Sequence, residues 1–209
     1  MKKVLLILNQ KGGVGKSTLS IHLTRAFKEK NYKSAVIDTD MQGTCMLWSK
    51  QNDRNFTGSF VVYGVDGNVD KRDINSIDEE LIVIDTPPRL NENNKELIEL
   101  SNYIIIPAAP TNFDLWATDE TIKFIKNVKP STKIIIVINN ISQNRSNMEL
   151  DLKKLLEKQY TDIYVCDNMI YRRNAYIIEP NFTVFERKND KAKREIINLV
   201  NEILDYIGE

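Results

Sequence analysis

Metal-binding and redox-active side chains are scarce in this chain: its 209 residues include two cysteines and one histidine. Cys45 and Cys166 stand far apart without C-x-x-C spacing, so neither a zinc site nor an iron–sulfur cluster is encoded in the usual way, and free buried thiols are expected. Long apolar runs are missing too. None approaches the ~20 residues of a membrane span, and Met1-Lys2-Lys3 leads straight into an apolar stretch with no signal-peptide pattern, so a cytoplasmic protein is expected. Net charge is absent: 29 basic side chains balance 29 acidic ones. That balance argues against coating nucleic acid by bulk charge and leaves room for a local basic patch. No repeat, low-complexity tract or linker interrupts the chain. With 42 % hydrophobic residues it suits a single domain over 1–209 with a sizeable core.

What the chain does contain is concentrated near its start. Residues 9–18 read Asn-Gln-Lys-Gly-Gly-Val-Gly-Lys-Ser-Thr. The apolar run Lys3–Leu8 before them reads as a buried parallel strand, and the apolar positions Leu19, Ile21, Leu23 and Phe27 after them read as a helix. Strand, glycine loop and helix in that order bind a nucleoside triphosphate. Gly12, Gly13 and Gly15 let the backbone around Val14 approach phosphate and tolerate positive φ, and the helix N-terminus adds partial positive charge. Lys16 is placed for the β- and γ-phosphates, the Ser17 hydroxyl for Mg²⁺, and Thr18 for the α-phosphate side. Gln10 stands where the ordinary G-x-x-x-x-G-K-[ST] pattern wants glycine, so the match is to K-G-G-x-G-K-[ST]. Two readings of Lys11, at the loop's outer lip, stand: a solvated lysine, or one that meets phosphate arriving from outside, such as the nucleotide of a facing subunit. A dinucleotide fold read from Gly13-Val14-Gly15 fails, because Lys16-Ser17 replaces the small packing residues.

Further apolar runs alternate with helical stretches. Strands are expected at 4–8, 35–38, 60–65, 81–85, 103–107, 134–139 and 163–166, and helices at 17–30, 44–51, 95–101, 116–128, 148–160 and 191–207. The polar stretch 67–80 reads as a surface connection with a short helix. Such alternation predicts an α/β, doubly wound, mostly parallel sheet with helices on both faces. Ligands of such sheets bind at the carboxyl ends of the strands, and the polar residues do follow the apolar runs: Asp38 and Asp40, Asp85, Pro107 to Pro110, and Asn139-Asn140. Asp38 and Asp85 stand where carboxylates hold Mg²⁺ through water, Asp38 alternatively capping its own loop. Thr86-Pro87-Pro88 removes two backbone donors and stiffens the segment beside the γ-phosphate, which suits either a switch or a plain rigid loop. Asn139 or Asn140 offers an amide able to read adenine, or forms an ordinary strand-end turn. The stretch 169–180 is expected to close the other side of the base. Arg172 and Arg173, followed by Arg187, Lys188, Lys191, Lys193 and Arg194, form either a solvated face or a phosphate-contacting one. His22 is read as packing or surface, facing away from the phosphates, and Trp48 and Trp116 as core or interface anchors.

The glycine loop with its extra lysine resembles the ParA/MinD family of deviant Walker ATPases. Two more segments carry the likeness: Ala35–Gly43 resembles the family's D-x-D-x-Q-G strand, with Met41 at the usual proline, and Leu81–Pro88 resembles its Walker B strand. Residues 106–114, with Pro107, Pro110 and Asp114, are similar to the proline-containing loop of short ParA proteins, which contributes to the base pocket and dimer face. The resemblance spans nearly the whole chain and implies a deviant P-loop ATPase using ATP and Mg²⁺. By it, Lys11 crosses a nucleotide-sandwich homodimer to the partner's phosphates, Asp40 orients the attacking water, and Pro87 and Pro88 couple hydrolysis to dimer opening. It further implies non-specific DNA binding through the region of Arg172, Arg173, Lys188 and Lys191, nucleoid association, and release when a ParB-like adaptor stimulates slow hydrolysis. By the same resemblance, with the sequence starting directly at the first strand, no helix-turn-helix extension and no specific operator binding are expected.

Two alternatives share the fold. A MinD-like positioning ATPase docks on membranes by a C-terminal amphipathic helix; Ile196, Ile197, Leu199, Val200, Ile203, Leu204 and Ile207 make an apolar stripe, but Glu195, Glu202, Asp205 and Glu209 oppose anionic lipid, so core packing and no membrane partner are expected. A metabolic ATPase or ligase needs a substrate pocket, or bridging cysteines, that the sequence does not display.

Overall fold

The computed structural model describes residues 2–50, 61–64, 69–142, 148–177, 179, 182–188 and 190–209. Strands β1 (Lys3–Ile7), β2 (Ser34–Asp38), β3 (Val61–Gly64), β4 (Leu81–Asp85), β5 (Tyr103–Ala108), β6 (Lys133–Ile138) and β7 (Tyr164–Val165) form one sheet in the order β3-β2-β4-β1-β5-β6-β7. Every pairing in it is parallel. Among the described residues seven α-helices connect and cover it: α1 (Lys16–Glu29), α2 (Thr44–Lys50), α3 (Lys71–Ser76), α4 (Glu92–Leu100), α5 (Asn112–Val128), α6 (Met148–Gln159) and α7 (Asp190–Ile207). The expected doubly wound sheet is present.

Alternation along each strand explains why both faces are covered. Leu5, Ile7, Val36, Val83, Ile105 and Val137 point to one side, where Leu23 and Phe27 of α1, Trp48 of α2 and Leu199 of α7 bury them. Leu6, Ile37, Ile84, Ile104, Ile106 and Ile136 point to the other, under Ile74 of α3, Ile98 of α4, Ile125 of α5 and Leu156 of α6. Such two-sided burial is what continuous Val, Ile and Leu runs encode. The apolar stripe of α7 is spent inside: Ile196, Leu199, Val200, Ile203, Leu204 and Ile207 are all buried. No described helix is long and apolar enough to cross a membrane.

Local chemistry moves several boundaries. Helix α5 begins before the expected Trp116, because Thr111 accepts the backbone N–H of Asp114 as an N-cap, and α4 begins early on an Asn91–Asn94 capping box. A second box, Asp70 with Asp73, starts the short helix expected in 67–80. Pro107 sits inside β5 beyond the ladder to β1, so the donor it lacks is not missed there, and its carbonyl accepts from Asn9 Nδ2 at 2.9 Å. Phe60, Val65, Gln51, Gly67 and Pro180, five ends of four expected elements or segments, lie outside the described residues.

Chain order reverses beside β1: the strands run outward to β3, return with β4, and continue on the far side with β5. The carboxyl end of β1 therefore opens at the centre of the sheet, where doubly wound folds bind ligands.

Candidate functional site

The glycine loop is shaped by two positive-φ residues, Gly13 at 76° and Gly15 at 91°. At Gly15 a side chain is also excluded by its neighbour: a Cβ there would lie 2.5 Å from Asn139 Nδ2. That amide, from the end of β6, donates to Val14 O at 2.7 Å and so pins the loop from outside. The loop's entrance is held by side chains that sequence reasoning did not single out. Asn9, fully buried, accepts from Lys11 N at 2.9 Å, and Thr121 Oγ1 accepts from Gln10 N at 3.3 Å. A polar residue at the last buried position before the loop was the available signal for Asn9; Thr121 lies on α5 and gave none.

Lys16 heads α1 and is only 7 % exposed. Its ammonium donates to Lys11 O at 3.0 Å. Burial holds its pKa below the usual lysine range, opposed by the carboxylates of Asp85 and Asp40. A cation kept here without a close ion pair is ready to meet an anion. Gly12 lies against Pro88, whose Cβ is 3.6 Å from where a Gly12 Cβ would be, so the Pro87-Pro88 segment touches the loop directly.

Three carboxylates gather at the ends of β2 and β4. Asp85 is fully buried; Ser20 Oγ donates to it at 2.9 Å and the Cys45 thiol approaches at 3.5 Å. Burial raises its pKa to about 6, with Asp38 adding to the rise and the Ser17 and Ser20 hydroxyls opposing it. Asp38 has both oxygens engaged by backbone, from Asp40 N at 3.1 Å and Met46 N at 3.0 Å. It thus caps the loop that carries Asp40. Asp40 in turn accepts from Gln42 N at 3.0 Å, and Met41 beside it is 87 % exposed. Ser17, Asp38 and Asp85 offer oxygen donors only, the set that suits Mg²⁺.

Behind the loop a cavity of about 190 Å³ runs past Gly13, Gly15, Thr18, Asn139, Arg172 and Tyr176. His22 lines it as well, one helical turn after Thr18, and so faces this cavity rather than away from it. The ring is buried: Nδ1 lies 2.7 Å from Thr18 O, and Tyr176 packs edge-on with centroids 5.4 Å apart. Burial pushes the imidazole pKa down to about 4, which keeps it neutral.

The basic candidates do not form one block. Arg172 lines this cavity and a second one at the outer lip. Arg173 is paired with Glu195, its Nε donating at 2.9 Å. Lys191 and Arg194 share a shallow depression with Arg173, and Lys188 is exposed just before α7. Trp48 is core, whereas Trp116 is 65 % exposed on the first turns of α5 beside Phe113, at 81 %.

A family model described as the CobQ/CobB/MinD/ParA nucleotide binding domain matches residues 5–183, from β1 through the glycine loop and both acidic strand ends to the segment after β7. The chain belongs to this family. ParA/MinD-type members are P-loop ATPases, and the glycine loop is placed in this chain as that fold requires. Maintenance of carboxysome distribution protein A from Halothiobacillus neapolitanus is 25 % identical over 210 residues, covering 96 % of this chain and 95 % of that protein. Among solved structures, a plasmid partition protein from Borrelia burgdorferi bound to AMPPNP superposes with a TM-score of 0.77 at 21 % identity, covering 98 % of this chain and 99 % of that one. Cobyrinic acid a,c-diamide synthase from Mycobacterium smegmatis, with an ATP analogue and magnesium, gives 0.78 at 16 % identity over 99 % and 96 %. These two likenesses establish the fold. The chain is thus a ParA/MinD-family ATPase related to partition and carboxysome-distribution proteins.

Proposed function

We propose that this protein is an ATP-driven segregation switch: an ATP-bound sandwich dimer binds DNA non-specifically and lets go when a ParB-like adaptor stimulates hydrolysis. The observation that carries the reading is the second lysine. Lys11 stands at the outer lip, 36 % exposed in its side chain, while Lys16 fills the inner position. A loop that binds nucleotide for its own sake needs only the inner one. Exposed Phe113 and Trp116 on the neighbouring helix give a facing copy apolar surface to cover.

In this reading the loop amides and Lys16 hold the β- and γ-phosphates, and Asp40 orients the water for in-line attack. Ser17 and Asp85, with Asp38 behind them, would hold Mg²⁺, which when bound neutralises phosphate charge. Asn139, which buttresses the loop, together with Pro107, borders the adenine side, and Pro88 against Gly12 relays phosphate loss. Arg172, Arg173, Lys188 and Lys191 supply salt-sensitive phosphate contacts.

A second reading changes the cargo and keeps the switch. It rests on the near full-length likeness to a carboxysome distribution protein: the moved object is then a protein body carried over DNA. Binding of the purified protein to random-sequence duplex, with ATP, ADP or no nucleotide at two salt concentrations, tests what both share. ATP-dependent, salt-sensitive binding is expected. Absence of binding in every state by an active ATPase moves the assignment to the membrane-positioning or metabolic members.

A further inference from the structure

Lys11 does not wait in solvent. Its ammonium lies 2.7 Å from Asp114 Oδ1, on the first turn of α5. The acid is the buried partner, with 5 % of its side chain exposed. Its other oxygen accepts the Thr111 hydroxyl, and its own N–H donates to Thr111 Oγ1 at 3.2 Å, so the carboxylate is held in one orientation. The backbone of Lys11 is fixed from both sides, through its N–H to Asn9 and its carbonyl to Lys16. Only the side chain is left to move, and it is tied across to α5.

We propose that Asp114 is a positioning residue that parks Lys11 within its own subunit until the phosphates of a second copy displace it. The proposal rests on the sandwich-dimer reading. An exposed ion pair does little, because water competes for both charges. Here one member is buried, and a carboxylate left in that place without its cation is unfavourable. Lys11 therefore leaves only for a stronger anion, and a nucleotide phosphate, with several charges, is one. Lone subunits and subunits facing an empty partner keep the lysine parked. The tie also joins two events. Phe113 and Trp116 flank Asp114 on the same turn, so a partner that covers these rings touches the helix that holds the acid.

Amine labelling read by mass spectrometry, paired with sedimentation of the full chain over a range of ATPγS concentrations, tests this. In the nucleotide-free protein Lys11 is expected to be protected in the wild type and about threefold or more faster to react in Asp114→Asn. Asp114→Glu, which keeps the charge, should restore protection. Dimers of Asp114→Asn should form at about fivefold lower ATPγS, the low end of ordinary coupling between sites. Asp114→Ser keeps a side-chain oxygen and leaves the Thr111 cap in place, and it replaces Asp114→Asn if that variant does not fold. Equal Lys11 reactivity in wild type and variant overturns the parking contact. A higher ATPγS requirement in Asp114→Asn also overturns it, since Asp114 would then support the dimer. A wild type that stays monomeric at every concentration refutes the dimer reading instead, and labelling alone then decides whether Asp114 holds the lysine.

Discussion

Lys16 and Lys11 come from one loop and carry the same ammonium, yet the fold treats them in opposite ways. Lys16 is almost fully buried and sees only a backbone carbonyl at close range, with Asp85 and Asp40 acting from further off. Lys11 is partly exposed and rests on a buried carboxylate. In the proposed reading the inner charge is left for an anion of the same subunit. In that reading the outer charge stays paired until one arrives from elsewhere. Position relative to the loop, and not residue type, decides whether a lysine is preorganised for its ligand or restrained from it.

Removing either lysine separates these roles. Lys16→Ala should weaken nucleotide binding by about 100-fold or more, as loss of a charge-assisted contact in a water-poor site implies. Calorimetric titration with ATP checks this, and micromolar affinity in the variant would sink the assignment of the inner role. Asp40→Ala should lower turnover by about 100-fold while ATP-bound dimers accumulate, since a group that orients water contributes at least that much. Phosphate release at the wild-type rate would place that role on another residue. Lys11→Ala should change ATP affinity by no more than about threefold and abolish ATP-dependent dimers. Sedimentation decides it: unchanged dimers would make the outer lysine a surface charge.

The smallest effect concerns two titrating groups on either side of the loop. Burial lowers His22 to about 4 from 6.5 and raises Asp85 to about 6 from 3.8. Below pH 6.5 the unfolded chain takes up a proton at His22 that the folded chain refuses, so this group's share of stability falls as pH drops towards 4. Over the same window the folded chain keeps a proton on Asp85 that the unfolded chain has shed, so its share falls as pH rises from 4 to 6. Without metal the two slopes offset each other. In His22→Asn the imidazole's opposing share is lost, so stability should fall more steeply with rising pH between 4 and 6 than in the wild type, by up to about 1.4 kcal/mol per pH unit. Urea midpoints in chelator measure it, and identical slopes in variant and wild type would contradict the buried neutral imidazole.

The legible parts of the molecule are those set by local rules. An apolar run followed by Gly12-Gly13-Val14-Gly15-Lys16-Ser17 fixes a strand, a turn and a helix because few backbones accept that order. Asp38 and Asp85 fall at strand ends because each closes a continuous buried run. The start of α5 was hidden behind Pro107 and Pro110, although Thr111 carried the capping oxygen. The direction of His22 was readable, since four residues after Thr18 on a helix is the same face. Contacts between distant segments were not readable. Lys11 with Asp114, Ser20 with Asp85 and Asn139 with Val14 join strand ends that only the sheet order brings together. For the same reason the basic residues after 170, a loose cluster in sequence, divide in space between the cavity behind the glycine loop, a pair with Glu195 and a depression on α7.

Cys45 sits against the Asp85 carboxylate with no exposed surface, and burial raises its thiol pKa well above the usual value. A thiol so placed reacts with an alkylating reagent only during the moments when α2 lifts from the sheet. Its modification rate is then a clock for local opening, ticking at the fraction of time the site spends ajar. Any ligand that grips the acidic strand ends slows this clock by the factor by which it suppresses opening. The chain thus carries its own occupancy reporter, readable by mass without a dye or a tag.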